Sequence, residues 1–299
     1  MIKLINTKYI FFLLAFIIGC DSGDFPEHSK SHSKTITIAT FNVEWLGDMV
    51  NDRIDRLPED YKLIAEIIKK SDADIIALQE IENENALKLL NKHLTGFKYY
   101  LGKKGGKQNL GLLYKKELIV KIIGEYTPLI VEQNRTRPGL VFECKAGNFD
   151  FIGMVVHFKS SSRYDDTKEK VQKSKELRAK QIEKTHFWAD SILRKTKEQD
   201  VIILGDFNDT PVRKKDNLLA IFKYDTNFIF LTENLKSCKY PTFYSIDHIL
   251  VSSSANKRYI KNSLRSLDFR SILTDEETKK VSDHCPVSVM LDITIPDND

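Results

Sequence analysis

The stretch Val201-Ile202-Ile203-Leu204-Gly205-Asp206-Phe207-Asn208-Asp209 constrains the chain most. Four consecutive apolar residues, three of them β-branched, predict a strand covered on both faces. Gly205 lets the backbone turn tightly at its end. Asp206 and Asn208, two residues apart, then share one face of an extended backbone. Asp and Asn also favour turns and helix caps. Taken alone, the stretch is therefore either a polar strand end built to meet a charged ligand or an ordinary turn.

The same construction recurs along the chain. Thr35 to Glu44 alternates and ends with Asn42 and Glu44 on one face, and Asp74-Ile75-Ile76-Ala77-Leu78-Gln79-Glu80 is a second buried strand ending in an acid. Further strands are expected near 97–101, 110–114, 119–126, 138–145, 149–158, 245–251 and 286–293, with a mixed region over 211–243. Pro58 sits at the first position of a helix whose stripe is Tyr61, Ile64, Ala65 and Ile68. A short helix is expected near 85–93 and a long one over 168–195, with Val171, Ile182, Ala189 and Ile192 inward. Helices between buried strands imply a layered α/β sandwich, and no linker or repeat divides 35–295.

The N-terminus reads differently. Lys3 and Lys8 precede an uninterrupted apolar run, Ile10 to Ile18, shorter than the roughly 20 residues a spanning helix needs. Residues 1–19 thus read as a signal peptide, and Ile17-Ile18-Gly19-Cys20 looks like a bacterial lipobox that leaves Cys20 lipidated. Residues 20–34 are then the lipidated cysteine and a polar tether reaching roughly 20 Å; His28 and His32 read as solvated. The protein is expected in the cell envelope, held to a lipid membrane from outside the cytoplasm. With Cys20 modified, Cys144, Cys238 and Cys285 permit one disulfide. Cys144–Cys238 is a candidate pair, and Cys285 is expected to be buried. The 299 residues carry a net charge of +4, too mild to prove a nucleic-acid partner. The basic runs at 103–107, 168–184 and 213–215 read as solvated faces.

What composition leaves open, the strand ends narrow. Asn42, Glu44, Glu80, His157, Asp206, Asn208, Asp247, Asp283 and His284 all lie at or beside the ends of apolar strands. Buried charges are costly unless paired or bound to metal. Phosphodiester hydrolysis uses such a set. Carboxylates hold a hard divalent cation that neutralises phosphate oxygens, a carboxylate-held histidine moves protons, and amides position the phosphate. On this reading Glu80 suits the metal, with Asn42 and Asp283 assisting. Asp247 and His284 suit an acid–base pair, and Asp206, Asn208 and His157 the opposite side of the phosphate. His248, next to Asp247 on a strand, points into packing. Arg178 either braces the loop after His157 or snorkels.

Six ordered motifs carry a resemblance: Phe41-Asn42-Val43-Glu44-Trp45, Leu78-Gln79-Glu80, Val156-His157-Phe158-Lys159-Ser160, Gly205-Asp206-Phe207-Asn208, Ile246-Asp247-His248-Ile249-Leu250 and Ser282-Asp283-His284-Cys285-Pro286. Together they resemble the endonuclease/exonuclease/phosphatase superfamily with its deoxyribonuclease-I-like fold, most of all bacterial membrane-nuclease-type lipoproteins. The resemblance implies a four-layer α/β/β/α sandwich of two mainly antiparallel sheets, and Mg²⁺-dependent phosphoester cleavage, with Mn²⁺ or Ca²⁺ as alternatives. It implies metal and phosphate binding by Asn42 and Glu80, catalysis by His157, Asp206, Asn208, Asp247 and His284, and a supporting or metal role for Asp283. It also implies a phosphate contact from Arg137 in Arg135-Thr136-Arg137-Pro138. Pancreatic relatives orient the first histidine with a glutamate; Gln108 or Asn109 is the nearest candidate here. The expected activity is a monomeric nuclease cutting DNA, with RNA a further substrate. The alternatives are a sphingomyelinase-like phosphodiesterase, for which Phe222, Tyr224, Phe228 and Phe230 would have to serve as a membrane-contacting hairpin although core packing is the preferred reading of them, and a non-catalytic surface binding protein.

Overall fold

The computed structural model describes residues 33–161, 164–297 and 299. The expected leader, Cys20, and nearly all of the tether lie outside them. Lys34–Asp299 forms a unit of its own. Among the described residues no helix is long and apolar enough to cross a membrane.

Two six-stranded sheets make up the centre. The first contains β1 (Thr35–Leu46), β2 (Ile75–Ile81), β3 (Phe97–Leu101), β4 (Asn109–Lys115), β11 (Arg265–Ser266) and β12 (Val287–Asp292), in the order β11-β12-β1-β2-β4-β3. The second contains β5 (Ile119–Tyr126), β6 (Gly139–Ala146), β7 (Phe149–His157), β8 (Val201–Asp206), β9 (Phe228–Phe230) and β10 (Asp247–Ser252), in the order β5-β6-β7-β8-β10-β9. Within these ladders only β1–β2 and β7–β8 pair parallel; the rest are antiparallel, as expected.

Side-chain alternation explains the layers. On β1, Ile36 and Ile38 point into a core shared with Ile202 and Leu204 of β8, while Ala39, Phe41 and Val43 point into another lined by Tyr61, Ile64 and Ile68 of α1 (Pro58–Lys70) and Leu87 and Leu90 of α2 (Glu84–Asn91). On β8 the odd residues Val201 and Ile203 face Ile182 and Ala189 of α3 (Lys168–Lys195). Three apolar interfaces thus separate four layers, helix–sheet–sheet–helix. Strands such as β8 are apolar throughout because both faces are covered.

Several local expectations need correction. Val171 is 44% exposed; the inner face of α3 instead runs through Ser174, Leu177, Arg178, Gln181, Ile182, Thr185, Trp188 and Ala189. The first turn of this helix is exposed, and burial begins at Ser174. The disulfide joins Cys238 to Cys285, and Cys144 is a buried free thiol. Cys144 sits on β6 inside the core between the sheets, out of reach of the loop that carries Cys238. Burial pushes its thiol up to about 12. The aromatics of 222–230, by contrast, keep to the core packing preferred for them: Phe222, Phe228 and Phe230 are buried against one another and Phe207, and Tyr224 alone of the four is exposed.

Candidate active site

The register of three adjacent strands assembles one row of the site. His157 on β7 pairs with Asp206 on β8, and Asp206 pairs with Asp247 on β10. All three share the parity of Val155, Ile202, Leu204 and Ile249, which fill the core between the sheets. The row therefore lies at the rim of that core. Asn42 on β1 shares the parity of Ile36 and Ile38 and faces it from the other sheet. Its amide nitrogen is 3.2 Å from Asp206 Oδ2, bridging the two sheets.

Glu80 reaches the rim by a different device. Even residues of β2, such as Ile76 and Leu78, face the helix layer. A bulge between Leu78 and Ile81, with Glu80 at φ +64°, re-aims its side chain. Its Oε1 then accepts from Asn42 Nδ2 at 3.3 Å and lies 3.5 Å from His157 Nε2. A second bulge on β1, with Glu44 and Trp45 at φ +47° and +53°, brings Glu44 Oε2 to the backbone N–H of Asp283 at 2.9 Å. Arg56 supports this bulge from behind, donating to the carbonyls of Val43 and Glu44 at 2.9 and 2.6 Å.

His284 and Asp247 form the tightest pair. The ring Nδ1 lies 2.8 and 3.0 Å from the two Asp247 carboxylate oxygens. Nε2 is 4.0 Å from Asp206 and 3.7 Å from Asp283. Burial disfavours the charged ring, yet Asp247, then Asp206 and Asp283, outweigh it and hold His284 well above its ordinary value. His157 goes the opposite way. Burial, with Arg137 and His284 adding, holds it well below its ordinary value and neutral. Two histidines at one site are thus driven to opposite charge states, and His284 is the one that carries a proton to give. Asp206 is pushed up to about 7, first by burial, with Asp247 and Glu80 adding and His284 opposing.

The other expected residues fall around this centre. Asn208, at φ +51°, donates its backbone N–H to Asp206 Oδ1 and its side-chain amide to the Phe158 carbonyl. Arg137 lies beside Glu80 and Asp206, burial pushing its guanidinium down from the ordinary value. Asp283 is half-exposed, and Lys239 is 3.3 Å from its carboxylate. Gln108 and Asn109 do not orient His157: Gln108 accepts from Arg137, and Asn109 donates to the carbonyls of Ile81, Glu82 and Gly106. His157 Nδ1 is buried without a hydrogen-bond partner. His248 packs inward as expected, bonded to Thr232 Oγ1 and the Asp209 carbonyl. Arg178 does brace the loop after His157. It donates to the Lys159 carbonyl at 2.6 Å and pairs with buried Asp209 at 3.3 Å.

The donor set fits a hard divalent cation. Burial raises Glu80 and pushes Asp206 up, so two adjacent carboxylates lack compensating charge beyond Arg137 and His284. The Asp206, Asp247 and His284 cluster also brings ligand atoms within 4.8 Å of one another. There, however, His284 already spends one ring nitrogen on Asp247. Glu80, held by the Asn42 amide nitrogen at 3.3 Å, is the better cation-facing group.

Sequence reasoning missed two surfaces beside this centre. Arg53, Lys103, Lys104, Lys107, Arg135 and Arg137 surround a cavity of about 880 Å³. The run at 103–107, read as a solvated face, is exposed and also forms this rim. A second cavity, of about 480 Å³, opens from Asp247 and His284 onto Tyr240, Phe243 and Tyr244. Nothing in the spacing of those aromatics pointed to a strand end.

A model of the Endonuclease/Exonuclease/phosphatase family matches residues 39–284. No curated protein matches the chain in sequence. Similar solved structures include truncated Caenorhabditis elegans TDP2, with TM-score 0.62 and 17% identity, covering 86% of this chain and 97% of that one. The human nocturnin catalytic domain with bound sulfate gives 0.57 and 18%, covering 86% and 94%. A mannosyl-6-phosphatase from Bacteroides thetaiotaomicron gives 0.57 and 18%, covering 85% and 98%. At such identities these likenesses speak for the fold. The family match runs from β1 to His284 and spans the whole rim, so the chain belongs to the endonuclease/exonuclease/phosphatase family of metal-dependent phosphoester hydrolases.

Proposed function

We propose that this enzyme is a nuclease, cutting phosphodiester bonds of DNA and also of RNA with little sequence preference, from an envelope position set by a lipidated Cys20. The observation that carries the nucleic-acid reading is the basic cavity beside the acid–histidine centre. Six cationic side chains around about 880 Å³ suit several phosphates of one strand. A small phosphomonoester would need only the Arg137 end. D. rerio TDP2, a structural neighbour with TM-score 0.60 and 16% identity, is recorded in complex with a single-strand DNA product.

The residues divide the work. Glu80, oriented by the Asn42 amide, would hold Mg²⁺, which when bound would neutralise a phosphate oxygen and stabilise the leaving oxyanion, leaving Asp206 to act as the base. Arg137 binds a non-bridging oxygen. Asp206, with a pKa near neutrality, takes the proton of the attacking water as its oxygen bonds to phosphorus. The phosphorus–oxygen bond to the leaving group then breaks, and protonated His284 gives its Nε2 proton to that oxygen. Asp247 holds the ring through Nδ1 and stabilises its charge. Neutral His157 and the Asn208 backbone amide keep Asp206 oriented.

The test is the mature protein incubated with plasmid DNA, RNA, sphingomyelin and a sugar phosphate, each with Mg²⁺ or chelator. Metal-dependent cleavage of DNA or RNA is expected. Activity confined to the sugar phosphate or to sphingomyelin would replace the nuclease reading.

Localisation rests on the lipobox and on the disulfide. A Cys238–Cys285 bond persists in oxidising compartments and is rare in the cytosol. Cys20→Ser should release the protein from membranes or block its processing. Unchanged membrane association with an unchanged N-terminus would remove the anchor.

A further inference from the structure

The cavity on the other side of His284 is built from a loop that the reaction above does not use. Residues 236–245 close on themselves: Lys236 and Tyr244 form a bridge, and the Phe243 backbone N–H donates to the Tyr240 carbonyl at 2.8 Å. Cys238 is bonded to Cys285, the residue after His284. Arg270 lies across that bond, its Nη1 2.8 Å from each sulfur. Lys239 adds an ion pair to Asp283, the residue before His284. The loop is thus fastened on both sides of the histidine.

This fastening presents rings to solvent rather than burying them. Tyr240 is 56% exposed and Phe243 67%. Their centroids lie 6.4 Å apart at an interplanar angle of 88°. Exposed aromatics on a mobile loop would lose entropy on binding; on a pinned loop most of that cost is already met. The cavity they line, about 480 Å³, ends at Asp247 and His284 and falls in the range of small-ligand sites, roughly 300–1,000 Å³. Arg213 and Lys239 stand at its edge.

Building on the nucleic-acid reading, we propose that this cavity is a nucleobase subsite, in which the base next to the scissile phosphate stacks on the face of one of the two perpendicular rings, Tyr240 or Phe243, and meets the edge of the other. A flat π-face and a nearby phosphate are what an aromatic wall beside a cationic rim accepts. Stacking is tolerant of base identity, because every base has such a face. The basic cavity reaches the centre at Arg137 and this one at His284. A strand crossing the centre therefore leaves its phosphates on the first surface and one base on the second.

The test uses short single-stranded oligonucleotides with one cleavable phosphodiester, carrying bases on both sides or a tetrahydrofuran abasic unit on one side. With Mg²⁺, the wild-type protein should lose roughly tenfold in kcat/KM when the base on one particular side is removed. In Tyr240→Ala/Phe243→Ala that discrimination should shrink to within about twofold. Tyr240→Phe, which keeps the ring, should preserve it. Both truncated rings are largely exposed, so folding is not at stake. The subsite is overturned if the wild type ignores both abasic substitutions, or if the alanine variant discriminates as the wild type does. Failure of the nuclease reading itself looks different: no oligonucleotide is cut while a simple phosphate ester is hydrolysed.

Discussion

Asp247 earns its place through His284 alone. Its carboxylate lies against Nδ1 at 2.8 Å, and a group that fixes a ring's tautomer and charge contributes only while the ring is there. Asp247→Asn should therefore lose much of what His284→Ala loses, with the double variant within about threefold of His284→Ala in kcat/KM. Multiplied losses would mean the two act independently. The pH profile supplies a second check. Burial opposes the charge on His284, and Asp247 is the largest group that restores it. Removing that carboxylate's charge lowers the ring's pKa, so the alkaline limb of kcat/KM should move to lower pH. At this scale the sequence was most legible for residues whose strand parity decides their direction: Asn42, His157, Asp206 and Asp247. It was least legible where the backbone leaves the regular pattern. Glu80 reaches the rim through a left-handed residue in a bulge. The partners of Gln108 and Asn109 depend on loop geometry that no periodicity encodes.

Among the elements, β8 and its penultimate Gly205 hold the rim in place. Gly205 has φ +150°, and a Cβ there would fall 1.9 Å from the Val156 carbonyl oxygen on β7. That carbonyl belongs to the backbone next to His157 and cannot swing aside as a side chain would. Gly205→Ala should thus destabilise the protein by several kcal/mol and spoil the spacing of His157 and Asp206. A denaturant midpoint equal to the wild type's would contradict this. The strands themselves were readable because apolar runs bounded by polar residues mark them plainly, and α1 announced itself through Pro58 and its stripe. The inner face of α3 was harder to read. It buries Ser174, Arg178, Gln181 and Thr185, polar residues made tolerable by partners in other elements. Gln181 bonds to the Lys159 amide and to the Leu129 carbonyl, and Arg178 to Asp209. Such pairings are long-range and leave no local trace.

For the molecule as a whole, the sheets converge so that each contributes half of the centre: Asn42, Glu80, Asp283 and His284 from the first sheet and its loops, and His157, Asp206 and Asp247 from the second. This is why one apolar sandwich can support a dense polar rim, with the core excluding water behind it and leaving the front open to a strand. The disulfide could not be assigned from three cysteines, because pairing depends on how loops from distant positions meet. The central claim is that this rim hydrolyses nucleic-acid phosphodiesters with Glu80 at its metal-facing side. The most direct measurement is the rate of DNA cleavage by the mature protein in Mg²⁺, for the wild type and for Glu80→Gln, with unfolding midpoints recorded for both. The account predicts cleavage by the wild type that chelator abolishes, and a loss of at least about a hundredfold in a Glu80→Gln protein that stays folded, because the substitution removes the charge without the shape. Undiminished cleavage by Glu80→Gln, or a wild-type rate unaffected by chelator, would contradict it.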